Sequence, residues 1–134
     1  MSGKQARDRR LEIGLAALQL FVGVGGVAGG LALVTDPRGT NLGFSLEVLE
    51  ATPFRDYLIP GIVLLAVNGI GQVGGGIASF GRHRYAGEAA MSLGAFLMLW
   101  ITAQVWWIGL LHWLQPLYFV LGLAEFILGG KSRR

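Results

Sequence analysis

Cysteine is absent from the 134 residues of this sequence. That excludes thiol–disulfide chemistry, iron–sulfur clusters and cysteine-based zinc sites. Charge is scarce as well: 14% of residues are Asp, Glu, Lys or Arg, against roughly 25% in an average soluble domain. More telling is where charge is missing altogether. None of the four types falls between Ile13 and Thr35, between Tyr57 and Gly81, or between Ala89 and Ala124. These runs of 23, 25 and 36 residues suit a bilayer, whose hydrocarbon core takes about 20 helical residues to cross. Also missing are a nucleophile–base constellation, a spaced carboxylate pair and a metal-ligand cluster, so nothing argues for an enzyme, a cofactor or a metal. The chain reads as a single-domain integral membrane protein.

The longest run decides the topology. As one helix its 36 residues would reach about 54 Å, far beyond a bilayer. Two spans fit only if they break near "WWIGLLHWLQP" and the second takes in Glu125. The predicted fold is an all-α, four-helix transmembrane bundle with spans near residues 13–34, 58–80, 87–107 and 114–130. A basic N-terminus (1–12), an outer loop (35–56) and a basic tail (131–134) complete it. Lys4, Arg7, Arg9, Arg10, Arg82, Arg84, Lys131, Arg133 and Arg134 fall on one side, and only Arg38 and Arg55 on the other. That asymmetry places both termini in the cytoplasm, with Trp106, Trp107 and Trp113 at the outer interface. The first apolar run is too long for the h-region of roughly 7–15 residues in a signal peptide and is expected to stay as an anchor. In the outer loop, Ser45 can cap a short helix that sends Leu46, Val48 and Leu49 toward the headgroups. Thr52 and Pro53 suit a second helix start.

The segment "VNGIGQVGGG" contains a G-x-G-x-x-G at Gly69, Gly71 and Gly74, the fingerprint of a dinucleotide-binding turn. Such a turn needs a strand before it and an acidic residue ending a second strand about 20 residues later. Here the glycines lie inside an uncharged span, so neither a nucleotide nor a nucleic acid is expected as partner. Helix packing explains them better. On a helix, Gly61, Asn68, Gln72, Gly75 and Ser79 share a narrow sector, with Gly69 and Gly76 beside it. Span one repeats the device with Glu12, Gln19, Gly23, Gly26 and Gly30. Small residues let helices approach closely and amides bond across the contact, so Gly23, Gly26 and Gly30 are expected against Gly69, Gly75 and Gly76. The pattern G-x-x-[QE]-x-x-x-G recurs at Gly122, Glu125 and Gly129, which hints at two duplicated hairpins.

Glu125 is the sharpest candidate for function. An ionisable residue inside a span is expensive and marks a proton or cation site by default. The plainer alternative pairs it with Lys131, about 9 Å away along the helix. Gln72, Asn68, Gln19 and Tyr118 complete a candidate polar site in the membrane interior. Glu12 and Glu88, at helix ends, suit solvation or pairing with Arg. His83 and His112 fall at opposite interfaces and cannot share a metal within one subunit.

The segments "TPFRDYLIPG", "VNGIG" and "WLQPLYFVLGLAEFILG" resemble a family of small bacterial four-span membrane proteins, which carries no established activity. Gly122 and Glu125 give a looser likeness to the DoxX-like group, which would imply quinone-side redox chemistry. Small multidrug transporters have four spans in about this length, but their essential glutamate lies inside the first span, whereas Glu12 stands at its mouth. Three functions follow as expectations: a structural or accessory component of a bacterial cell membrane, an oligomeric proton-coupled transporter using Glu125, or a membrane redox component. The expected partners are the lipid bilayer and either further copies of the chain or another membrane protein.

Overall fold

The computed structural model describes residues 3–40, 43, 46–50, 52–81, 83–109 and 114–132. Within them the chain is all-helical, with four long helices. Helix α1 covers Gly3–Thr35, α2 Leu58–Phe80, α3 Ala86–Ile108 and α4 Leu114–Ser132. Three of them carry stretches long and apolar enough to cross a membrane: Arg9–Thr35, Leu58–Phe80 and Ala86–Trp106. In α4, Gln115, Glu125 and Lys131 dilute the apolar content. Helix α1 begins ten residues before the expected first span, because Lys4, Gln5, Ala6 and Arg7 are good helix formers that extend it outward.

The helix ends follow local chemistry. The Leu58 amide at the start of α2 donates to Asp56 Oδ1 at 3.0 Å. Pro60 and Pro116 sit in first turns, where their missing N–H groups would have had no helical partner. Helix α3 stops at Gly109, whose φ of 80° favours glycine. Between Leu64 and Gly71 α2 widens into a π-helical segment, a local change often found at functional positions.

Two expectations for the outer loop need correction. A 3₁₀ turn forms at Leu46–Leu49, but no helix starts at Thr52 and Pro53. Instead, Thr52 Oγ1 donates to the Leu49 carbonyl at 2.8 Å and accepts from the Phe54 amide at 3.2 Å, so its hydroxyl closes the turn. Leu49 packs inward with Leu33 and Tyr57 against Phe54 and Leu64; it does not face outward. Ser45, Arg82, His112, Trp113, Arg133 and Arg134 lie outside the described residues.

Each helix packs on its neighbour in chain order, and α4 returns to α1. Contact is closest within the pairs α1–α2 and α3–α4. In the first pair backbone meets backbone: a Cβ on Gly26 would strike the Asn68 carbonyl, and one on Gly69 would lie 2.8 Å from the Val27 nitrogen. Gly23, Gly30 and Gly76 face Val73, Leu65 and Leu20. Gly75 meets the Gln19 amide of α1 and also Leu93 of α3. The second pair has its own seam, in which Gly94 meets the Gly122 carbonyl, and Gly129 meets Ala90 and the Gly87 carbonyl.

The distribution of polarity is inverted relative to a water-soluble protein. Phe21, Val24, Ile70, Ile77 and Leu99 are more than 60% exposed, and Trp106 is 84% exposed. Glu125, Gln72 and Gln19 have no exposed surface at all. Large exposed apolar surfaces mark contact with lipid or a partner, and intramembrane polar residues face the bundle interior. Both patterns describe a membrane protein.

Candidate functional site

Helix periodicity sets Asn68, Gln72 and Ser79 one above another on α2. Helix α1 brings Gln19 against them and α4 brings Glu125. All five are buried, with at most 1% of their surface exposed. Ser79 Oγ donates to Gln19 Oε1 at 2.6 Å. The other end of that amide, Gln19 Nε2, lies over Gly75, where a Cβ would stand 2.6 Å from it. Gly75 therefore leaves the space through which Gln19 reaches both ways.

Gln72 and Gln19 both come up to the Glu125 carboxyl. Yet the group is under-satisfied. Gln19 Nε2, both amide atoms of Asn68, both of Gln72 and both oxygens of Glu125 make no hydrogen bond within 3.5 Å among the described residues. Lys131 is exposed, so the ion pair offered by its helical spacing is not formed. An ionised carboxylate without a counter-ion in an apolar interior is costly. With a proton on one oxygen, the same group becomes a donor to an amide carbonyl, such as that of Gln72.

The structure gathers Glu125, Gln72, Gln19 and Asn68 into the bundle interior but sets Tyr118 apart. The Tyr118 ring packs on an apolar layer of Val22, Leu97 and Ile101, and its hydroxyl lies against Gly25. That position is seven residues from Glu125, about 10 Å along the helix. Ser79 was the missed member: it shares the Asn68–Gln72 sector, and its hydroxyl is the one that fixes Gln19.

Other titratable side chains lie nearer the helix ends. Glu12 pairs with Arg9 at 3.5 Å. Arg9 also donates to the Phe80 carbonyl at 2.7 Å and stacks 4.9 Å from the Phe80 ring centroid. Glu88 has one carboxylate oxygen that is buried and without a partner. His83 is exposed and accepts a bond from the Tyr85 amide at 3.1 Å. Among the described residues no group of three or more His, Cys, Asp and Glu side chains could hold a metal. No known family, no curated protein and no solved structure matches this chain.

Proposed function

We propose that this chain crosses the cell membrane four times, with both termini in the cytoplasm, and that Glu125 takes up and releases a proton inside the bundle. One observation carries the proposal: Glu125 is fully buried beside the Gln72 and Gln19 amides, with no basic partner among the described residues. A side chain kept only for packing would be cheaper as Leu. A side chain kept as a static cross-link would be expected to have closed its hydrogen bonds. A proton supplies the missing donor and removes the charge. Helix α4, at 19 residues, measures about 28 Å and suffices to cross with Glu125 inside. The basic asymmetry of the loops supports the orientation. A four-helix unit of this size suits a proton-coupled transporter that works as an oligomer.

The test is infrared difference spectroscopy on the purified protein in lipid. The C=O stretch of a protonated carboxyl should respond to bulk pH in the wild type and vanish in Glu125→Gln. An unchanged band in Glu125→Gln would overturn the proposal.

The two glycine seams favour a second reading, a structural or accessory component of the membrane. Backbone contact along both pairs builds a stiff scaffold, in which Glu125 would be a neutral hydrogen-bonded cross-link. Glu125→Gln would then retain both stability and cellular phenotype, whereas a proton-carrying role predicts a stable protein without activity.

A further inference from the structure

The side-chain hydrogen bonds in the bundle are not distributed evenly about Glu125. Toward the end that holds the start of α1 and the α2–α3 turn, they continue. Gln19 bonds to Ser79, seven residues and about 10 Å from Gln72 along α2. The residue after Ser79 is Phe80, whose carbonyl is held by Arg9, itself paired with buried Glu12. Toward the opposite end the buried Asn68 amide has no hydrogen bond and the Tyr118 hydroxyl lies against Gly25, within a layer of Val22, Leu97 and Ile101 on which Leu18, Trp100, Tyr118 and Leu121 pack. Further out, Gln115 donates to Gln104 at 3.4 Å, at the far ends of α3 and α4.

We propose that the interior site exchanges with water only through the face carrying the helix α1 start, along Gln19 and Ser79, and that Arg9 lies across the mouth of this path. The proposal rests on Glu125 being an exchanging site, and it names the side from which exchange occurs. Arg9 suits a movable cover. Its side chain is 30% exposed, and its three contacts all sit at the end of the file. Its guanidinium is a cation, so the cover also sets the sign of what passes easily. A proton relayed along hydroxyl and amide groups is less hindered than a hydrated cation.

The chain lacks cysteine, so any introduced thiol is the sole target of a thiol reagent. Two positions at matched depth separate the two faces. Gln72 lies eight residues from the end of α2 at Phe80, and Ile101 lies seven from the end of α3 at Ile108. Each full-length variant is reconstituted into phosphatidylcholine vesicles and treated from either face with a small cationic methanethiosulfonate. Gln72→Cys should react from the α1-start face at least about tenfold faster than Ile101→Cys reacts from the other, because a cation entering an apolar layer is heavily penalised. Adding Arg9→Ala should speed Gln72→Cys several-fold and leave Ile101→Cys unchanged. Ser79→Cys, nearly isosteric, replaces Gln72→Cys in the Arg9→Ala comparison and in the choice of face if that variant fails to assemble. Equal rates at the two depths, or reaction of Gln72→Cys chiefly from the other face, would overturn the path. An unchanged rate with Arg9→Ala would overturn the cover. Thiol reactivity reports access whether or not Glu125 carries a proton, so this result and the infrared result fail independently.

Discussion

Ser79 and Gln19 are sixty positions apart in the chain and joined by a 2.6 Å hydrogen bond, fully buried between α1 and α2. Ser79→Ala would leave Gln19 Oε1 without its donor. The expected loss is about 1 kcal/mol, between the mean for interhelical bonds in lipid and the cost of a stranded buried acceptor. Ser92→Ala removes only a bond to the carbonyl four residues back and should cost less. Unfolding in mixed micelles compares the two, and an equal loss would deny the interhelical bond its role.

Gly26→Ala and Gly74→Ala should have opposite effects. A Cβ on Gly26 meets the Asn68 backbone, which cannot move without separating the helices, whereas Gly74 has nothing within 4 Å. Gly74→Ala should stabilise α2 by up to about 1 kcal/mol through helix propensity. Gly26→Ala should lower the thermal midpoint in detergent markedly. Equal tolerance of both would remove the α1–α2 contact.

Gly75→Ala tests the space given to Gln19. The new methyl meets Gln19 Nε2 at 2.6 Å and Leu93 Cδ1 at 2.8 Å, both far ends of side chains that can yield. The protein should therefore assemble, with Gln19 displaced from between Ser79 and Glu125. The expected readout is a shifted carboxyl band in the infrared spectrum at small cost in stability. A spectrum identical to wild type would mean that Gln19 does not touch the carboxyl.

Burial raises the pKa of Tyr57 above its ordinary value of 10.0, because desolvation disfavours the phenolate. The sign follows from linkage. This stabilisation is fully present below pH 10, the unfolded value, and is lost as pH rises through the higher folded value. The cluster of Leu33, Leu49 and Tyr57 should loosen at strongly alkaline pH, and Tyr57→Phe should remove that loss. Phenolate absorbance and thermal stability followed together against pH would check it; a Tyr57→Phe variant with the same alkaline loss would refute it.

Much of this was legible from charge and spacing. The limits of α2 follow directly from an uncharged run between Asp56 and Arg82, and the seam of Gly23, Gly26 and Gly30 from helical periodicity. The carboxyl and amides of the site were visible because polar residues inside apolar runs stand out. Less legible was anything decided by neighbours. Tyr118 shares a face with Glu125, but α1 offers its hydroxyl a place against Gly25 two turns away. Gly75 shares a sector with Gln72, yet it faces α3 as much as α1. The α3–α4 seam at Gly87 and Gly94 was overlooked, because single glycines in a span carry no periodicity of their own. The inward turn of Leu49 depends on Leu33, sixteen residues earlier, and no local pattern announces that contact.

The uncharged part of helix α1, Ile13–Thr35, has 23 residues and measures about 35 Å, against about 30 Å of hydrocarbon. Before it stand Arg9 and Arg10, and a basic residue at an anionic surface is favoured by about 1 kcal/mol. A rod longer than its slab answers changes in slab thickness by tilting. Tilt in α1 cannot stay private, because Gly26 rests on the backbone of α2 and Gln19 is tied to Ser79. With the spanning arrangement proposed above, the acyl-chain length of the host lipids should act as an input to the protein, transmitted to Glu125 without any ligand. Reconstitution in lipids of graded chain length would read it as a graded change in the carboxyl band.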